Sequence, residues 1–111
     1  MIRKRLGVDF IELHILHHAS EEPIYGLWML EELAGHGYRL SASQLYPRFH
    51  RLVRDGLLGL RLKAVGGKLR KYYVITARGR RHWTGQKRRL VELASEALSE
   101  GELKQALERK R

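Results

Sequence analysis

Ser41-Ala42-Ser43-Gln44-Leu45-Tyr46-Pro47-Arg48-Phe49-His50-Arg51-Leu52-Val53-Arg54-Asp55-Gly56 reads as a helix with both ends marked in the sequence. Ser41 and Gln44 stand in a capping-box relation. The serine hydroxyl can accept the amide three residues on, and the glutamine side chain can return a bond to the serine amide. Gly56 stops the helix. Between the ends, Leu45, Phe49, Leu52 and Val53 form a core side, while Ser43, Gln44, Arg48, His50 and Arg51 are polar and lie elsewhere around it. Pro47 lies inside and costs a backbone hydrogen bond, so a slight kink or an irregular first turn is expected there.

Downstream, Leu57 to Ala64 and Lys71 to Ile75 read as two short strands. Leu58, Leu60 and Leu62 alternate with Gly59, Arg61 and Lys63, and Tyr72-Tyr73-Val74-Ile75 are good strand formers. Val65-Gly66-Gly67-Lys68 between them is a turn with a positive tip. Thr76 is an N-cap for a long helix over 77–98, basic in its first half and carrying Leu90, Val91, Leu93, Ala94, Ala97 and Leu98 in its second. Ser99-Glu100-Gly101-Glu102 repeats the capping-box pattern, before a tail that either forms a short helix or frays.

Upstream, a helix is expected from about Leu6 to Ala19. Leu6, Phe10, Leu13 and Leu16 line one face, and Val8, Ile11 and Ile15 a second. A helix apolar on two sides is buried on two sides, which is a first sign of a dimer. Glu22-Pro23 breaks the chain. A second helix runs from about Ile24 to Gly35, with Leu27, Leu30, Leu33 and Ala34 inward, and Gly35-His36-Gly37 ends it. The fold class is therefore mainly α with a small β-hairpin: a winged helix-turn-helix over 1–76 and a C-terminal helical dimerisation segment over 77–111.

Bulk properties agree. The 111 residues suit one domain, and 43% hydrophobic with 31% charged is a globular balance. There is no cysteine, which removes disulfides and thiolate metal sites. No run reaches the roughly 18 apolar residues of a membrane span. Met1-Ile2-Arg3-Lys4-Arg5 is basic, but Asp9, Glu12 and His14 interrupt the apolar stretch that a secretory signal needs, so a cytoplasmic protein is expected. Lys plus Arg is 22 against 12 Asp plus Glu, a net charge of +10. Between Asp55 and Glu92 no acidic residue occurs. One-sided charge of this kind is the footprint of a nucleic-acid partner.

Four segments in order resemble the PadR family of prokaryotic transcriptional regulators, in its short form with one C-terminal helix. They are Asp9-Phe10-Ile11-Glu12-Leu13-His14-Ile15-Leu16, Pro23-Ile24-Tyr25-Gly26, Leu45-Tyr46-Pro47-Arg48-Phe49-His50-Arg51-Leu52, and Gly66-Gly67-Lys68-Leu69-Arg70-Lys71-Tyr72-Tyr73-Val74-Ile75-Thr76. The resemblance accounts for Pro47 inside a helix. Leu69 stands where the family commonly has proline, and Ser43-Gln44 where it has Gly-Thr, departures that bear on DNA sequence preference.

The resemblance implies a dimeric repressor on a near-palindromic duplex operator, with the third helix in the major groove and recognition helices about 34 Å apart. Gln44 would pair with adenine and Arg48 with guanine, Ser43 beside them. Tyr46 resembles the family's DNA-proximal tyrosine. His50 and Arg51 would hold phosphates, Lys68, Arg70 and Lys71 would reach from the wing, and Tyr25 would donate to a phosphate beside its helix N-terminus. Arg51 has an alternative role as ion-pair partner of Asp55, and Tyr72 as packing. The dimer would form through Phe10, Ile11, Ile15, Leu90, Leu93, Ala94, Ala97 and Leu98. Family members released by small aromatic or cationic effectors suggest a pocket at Trp28 and Trp83. Arg78, Arg80 and Arg81 either solvate the last helix or face the DNA flank.

His14, His17 and His18 have a spacing that could supply two metal ligands, yet with no cysteine and few carboxylates nearby they read as buried or interfacial histidines, and no metal or other cofactor is expected. They can still titrate near pH 6.5 and bias the dimer. No phosphate-binding loop, nucleophile elbow or paired-carboxylate motif is present, so no enzyme is expected. The alternative is a winged-helix adaptor for protein partners or RNA. Duplex RNA hides its major groove from a helix, which separates the two.

Overall fold

A computed structural model describes residues 9–109. The chain runs α1 (Phe10–Glu21), α2 (Gly26–Gly35), α3 (Ala42–Arg54), β1 (Leu58–Val65), β2 (Lys68–Ile75), α4 (Ala77–Ala97) and α5 (Glu100–Arg109). This is the expected helical order with one antiparallel hairpin. The Asp9 carboxylate accepts the Glu12 amide at 2.9 Å and caps α1. Leu6 and Val8, assigned above to the faces of α1, lie outside the described residues.

Two helices end in the same way. At the end of α2, Gly37 has φ +91°; Tyr38 N–H donates to Leu33 O at 2.9 Å and Gly37 N–H to Ala34 O at 3.0 Å. At the end of α3, Gly56 has φ +77°; Leu57 N–H donates to Leu52 O at 2.9 Å and Gly56 N–H to Val53 O at 3.0 Å. Both are Schellman motifs, which satisfy terminal carbonyls and need a left-handed residue. The second delivers the chain straight into β1.

Gly66 and Gly67 take φ +57° and +79°, the two left-handed conformations of a tight hairpin turn that matches strand twist. Pairing therefore extends to Val65↔Lys68, and β2 begins at Lys68 rather than at Lys71. Ile24 adds a bridge to the same sheet. Its N–H donates to Tyr73 O at 3.0 Å, and Tyr73 N–H donates back to Ile24 O at 2.7 Å. That extended residue is why α2 starts at Gly26 and not at Ile24.

The core joins Leu13, Ile15 and Leu16 of α1, Met29 and Leu33 of α2, Leu45, Phe49 and Leu52 of α3, the start of the hairpin, and Trp83 of α4. Each large apolar side chain so enclosed contributes about 1.5–3 kcal/mol. Phe49 and Tyr73 stack with ring centroids 4.2 Å apart. The inner face of α2 differs from the sequence reading: Leu27 and Ala34 are exposed, while Gly26 and Met29 are buried. The Ile24 bridge fixes the roll of the helix, and periodicity alone chose the neighbouring line.

Thr76 fastens α4 to the end of α3. Its hydroxyl donates to Gly56 O at 2.6 Å and accepts the Gly79 amide at 2.9 Å. Ser99 and Glu102 form the second capping box, Ser99 N–H donating to Glu102 Oε1 and Glu102 N–H to Ser99 Oγ, both at 3.0 Å. The tail is thus a helix, exposed along its length. No helix among the described residues is long and apolar enough to cross a membrane.

Candidate nucleic-acid interface

A cleft of about 660 Å³ opens between the N-terminus of α2, one flank of α3 and the hairpin. Its walls include Tyr25, Tyr46, His50, Lys68, Arg70 and Lys71. Two local features build it. Gly26 has no side chain, so the Tyr46 phenol lies against the first turn of α2; a Cβ at Gly26 would sit 2.1 Å from the Tyr46 hydroxyl oxygen. The Arg70 guanidinium lies 4.2 Å over the Tyr25 ring, a cation–π contact that ties the wing to α2. Tyr72 meets the same ring edge-on, with centroids 5.5 Å apart. Lys68 and Lys71 are exposed beside it.

Along α3, Leu45, Phe49 and Leu52 face the core, which turns Ser43, Pro47, His50 and Arg54 outward, all of them exposed. Arg54 was not singled out from the sequence, although it falls on the same outer line as Ser43 and His50. The Ser41–Gln44 capping box forms, with Ser41 N–H donating to Gln44 Oε1 at 3.0 Å. Gln44 is exposed, but its carbonyl oxygen is engaged at the cap.

Arg48 and Arg51 lie on the flank of α3 that faces α1. Arg48 is paired with Asp9, and Arg51 Nη2 donates to Glu12 Oε1 at 3.0 Å. The partner weighed for Arg51 in the sequence, Asp55, is replaced by one on another helix. Arg51 Nε is buried with no hydrogen-bond partner among the described residues. Glu12 is fully buried, although along the sequence it reads only as an interruption of an apolar run.

The histidines gather where α1 crosses α2. His14 stacks on His36 with centroids 4.6 Å apart and meets Tyr38 edge-on at 5.6 Å. Glu32 Oε1 lies 3.4 Å from His18 Nε2 and 3.2 Å from His36 Nε2. Burial first, then His36, His18 and His17, holds the His14 pKa below its ordinary 6.5, with Glu32 opposing. His18 is lowered in the same way, by burial and then His17. Trp28 lies edge-on to His18 at 5.1 Å and Trp83 lies 5.9 Å from His17, so each tryptophan flanks a different one of two neighbouring histidines.

Of the residues assigned above to a dimer, Ile15 is enclosed in the protomer's own core, and Ile11, Leu90 and Ala94 are half-buried. Phe10 at 60% and Leu93 at 60% exposure stand out from the surface with Val91 and Leu98. A smaller cleft of about 200 Å³ is lined by Phe10, Leu13, His14, His17, Trp83 and Leu90.

Residues 15–84 match the "Transcriptional regulator PadR-like family". The chain is 47% identical over 88 residues to transcriptional regulator Rv3488 of Mycobacterium tuberculosis, covering 79% of this chain and 82% of that one. A PadR family regulator from Eggerthella lenta superposes with a TM-score of 0.67 at 33% identity, over 76% of this chain and 74% of that one. Bacillus subtilis PadR, solved in complex with operator DNA, shares the fold at a TM-score of 0.61 and 21% identity, over 68% of this chain and 45% of that one. The chain belongs to the PadR-like family of transcriptional regulators, which are not enzymes.

Proposed function

We propose that the protein is a cytoplasmic repressor that binds a near-palindromic duplex operator as a homodimer. The observation that carries this reading is the cleft in which Tyr25, Tyr46, His50, Lys68, Arg70 and Lys71 converge from α2, α3 and the wing. Those residues come from three separate segments of the chain, and each can donate a hydrogen bond to an anionic backbone. Ser43, Gln44 and Arg54 on the outer side of α3 complete the surface. Ser43 and Gln44 meet bases near the helix N-terminus, and Arg54 meets a phosphate near its C-terminus. Reading an adenine with both polar atoms requires Gln44 to release its oxygen from the Ser41 cap.

Arg48 and Arg51 serve first to hold α3 against α1. Their ion pairs with Asp9 and Glu12 leave the outer line of α3 to make the base contacts. Phe10, Val91, Leu93 and Leu98 supply the exposed apolar surface that a second copy covers, with 77–111 as the dimerisation segment. A dimer seated across a promoter obstructs polymerase, which makes repression the outcome. The cleft between Phe10 and Trp83, at the edge of that apolar surface, suits a small aromatic or cationic effector, with Trp28 behind the adjacent histidines.

Selection from a random duplex DNA library tests the reading. Enrichment of a near-palindrome with half-sites about one helical turn apart is expected. Enrichment of nothing, or equal retention of duplex RNA, overturns it.

A further inference from the structure

We propose that His14, His18, Glu32 and His36 form a binding site for a borderline divalent cation, with Zn²⁺ the best fit. The inference is independent of the DNA-binding reading.

Two pairs of potential ligands face each other across the crossing of α1 and α2. His14 and His18 stand one turn apart on α1; Glu32 and His36 stand one turn apart at the end of α2. The ligand nitrogens of the three histidines all lie within 4.8 Å of one another. The Glu32 carboxylate is 3.4 Å from His18 Nε2 and 3.2 Å from His36 Nε2. In a tetrahedral zinc site with bonds of about 2.0–2.1 Å, adjacent ligand atoms are about 3.3 Å apart. Two of the six edges of such a tetrahedron therefore already exist; a bound cation would draw in the other four, the three to His14 and the one between His18 and His36.

The donor set selects the metal. Three imidazole nitrogens and one carboxylate oxygen suit Zn²⁺ and its neighbours, and do not suit Ca²⁺ or Mg²⁺, which take oxygen ligands. Hydrogen bonding explains only part of the cluster. Glu32 can accept from His18 and His36, but His14 has no hydrogen-bond acceptor among the described residues and is surrounded by other rings. Uncharged imidazoles packed together gain little from each other, whereas a shared cation uses a lone pair from each. A second trio, His17, His18 and Glu21, comes from one helix and is more exposed, with 48% and 64% exposure at His17 and Glu21. It is the competing site.

His36 caps the C-terminus of α2, at the turn that leads into α3. A metal there cross-links α1 to the helix-turn-helix.

The test is titration of the chelator-treated full-length protein with Co²⁺, read by visible absorption, followed by displacement with Zn²⁺. The intense bands of four-coordinate Co²⁺ are expected at one equivalent per chain. Zn²⁺ should displace Co²⁺ and raise the thermal midpoint. His36→Gln changes an exposed residue at a helix end and should keep the native circular dichroism while weakening metal binding roughly a hundredfold or more. His14→Gln should act likewise, and His17→Gln should leave the bands intact. Absence of the bands in the wild-type protein overturns the proposal. So do bands that survive His36→Gln and vanish in His17→Gln.

Discussion

Arg51 Nη2 on α3 lies 3.0 Å from Glu12 Oε1, on a carboxylate that α1 carries into the interior with no exposed surface. An ionised carboxylate out of water is costly unless it is paired. The pair therefore fixes where α3 sits on α1 as well as stabilising the contact. Arg48 with Asp9, one turn earlier on each helix, repeats the relation at the surface.

Glu12→Ala should lower the unfolding free energy by about 2–4 kcal/mol, because it strands a half-buried arginine and opens a cavity. Glu12→Gln keeps an acceptor for Arg51 and should cost less. Urea denaturation measures both, with an unchanged m-value showing that only stability moved. A loss under about 0.5 kcal/mol for Glu12→Ala would mean that the pair does not hold α3.

Lys68→Ala, Lys71→Ala and Arg54→Ala should each weaken DNA binding about equally for all sequences and reduce the salt slope by about one. Ser43→Ala and Gln44→Ala should instead change which sequence is preferred, with little effect on the slope. Binding isotherms at several salt concentrations separate the two groups. A sequence-dependent effect of Lys68→Ala would place the wing on bases.

What was legible in the sequence is what neighbouring residues decide. The Ser41–Gln44 and Ser99–Glu102 boxes, the glycine helix stops and the two-glycine hairpin turn each depend on a few consecutive positions, and so could be read. The Arg48–Asp9 and Arg51–Glu12 pairs span 39 residues each, and nothing local announces them. His36 joins His14 and His18 only because α2 folds back across α1, so the sequence showed i, i+4 histidines without their third member. The roll of α2 is hidden from the sequence for the same reason: Ile24, just before it, is bridged to Tyr73, on a strand far along the chain.

Gly79→Ala should destabilise the fold by about 1–3 kcal/mol or more, because its Cβ would lie 2.1 Å from the Leu57 carbonyl oxygen, which cannot easily retreat. At Gly26 the obstacle is the Tyr46 hydroxyl, the far end of a side chain. Gly26→Ala should therefore displace Tyr46 and reduce DNA affinity by a larger factor than it reduces stability. Thermal melts beside DNA titrations of both variants decide this. Equal losses of stability in the two would show that Tyr46 is as rigid as the backbone at Leu57.

If the proposed homodimer forms through α4, Leu93→Glu, which places a charge on its exposed apolar surface, should leave the protein monomeric with the fold intact. Light scattering after size exclusion gives the mass, and fluorescence of the buried Trp83 reports the fold. A Leu93→Glu protein that remains dimeric would move the interface elsewhere.

Sequence-specific recognition is tested by fluorescence anisotropy of the wild-type protein on a selected duplex and on its scrambled counterpart at moderate salt. A preference of a hundredfold or more is expected, about 2.7 kcal/mol or more, largely lost in a Ser43→Ala, Gln44→Ala double variant. Equal binding of both duplexes that fades together with salt would reduce the α3–wing face to a basic surface and contradict sequence-specific recognition.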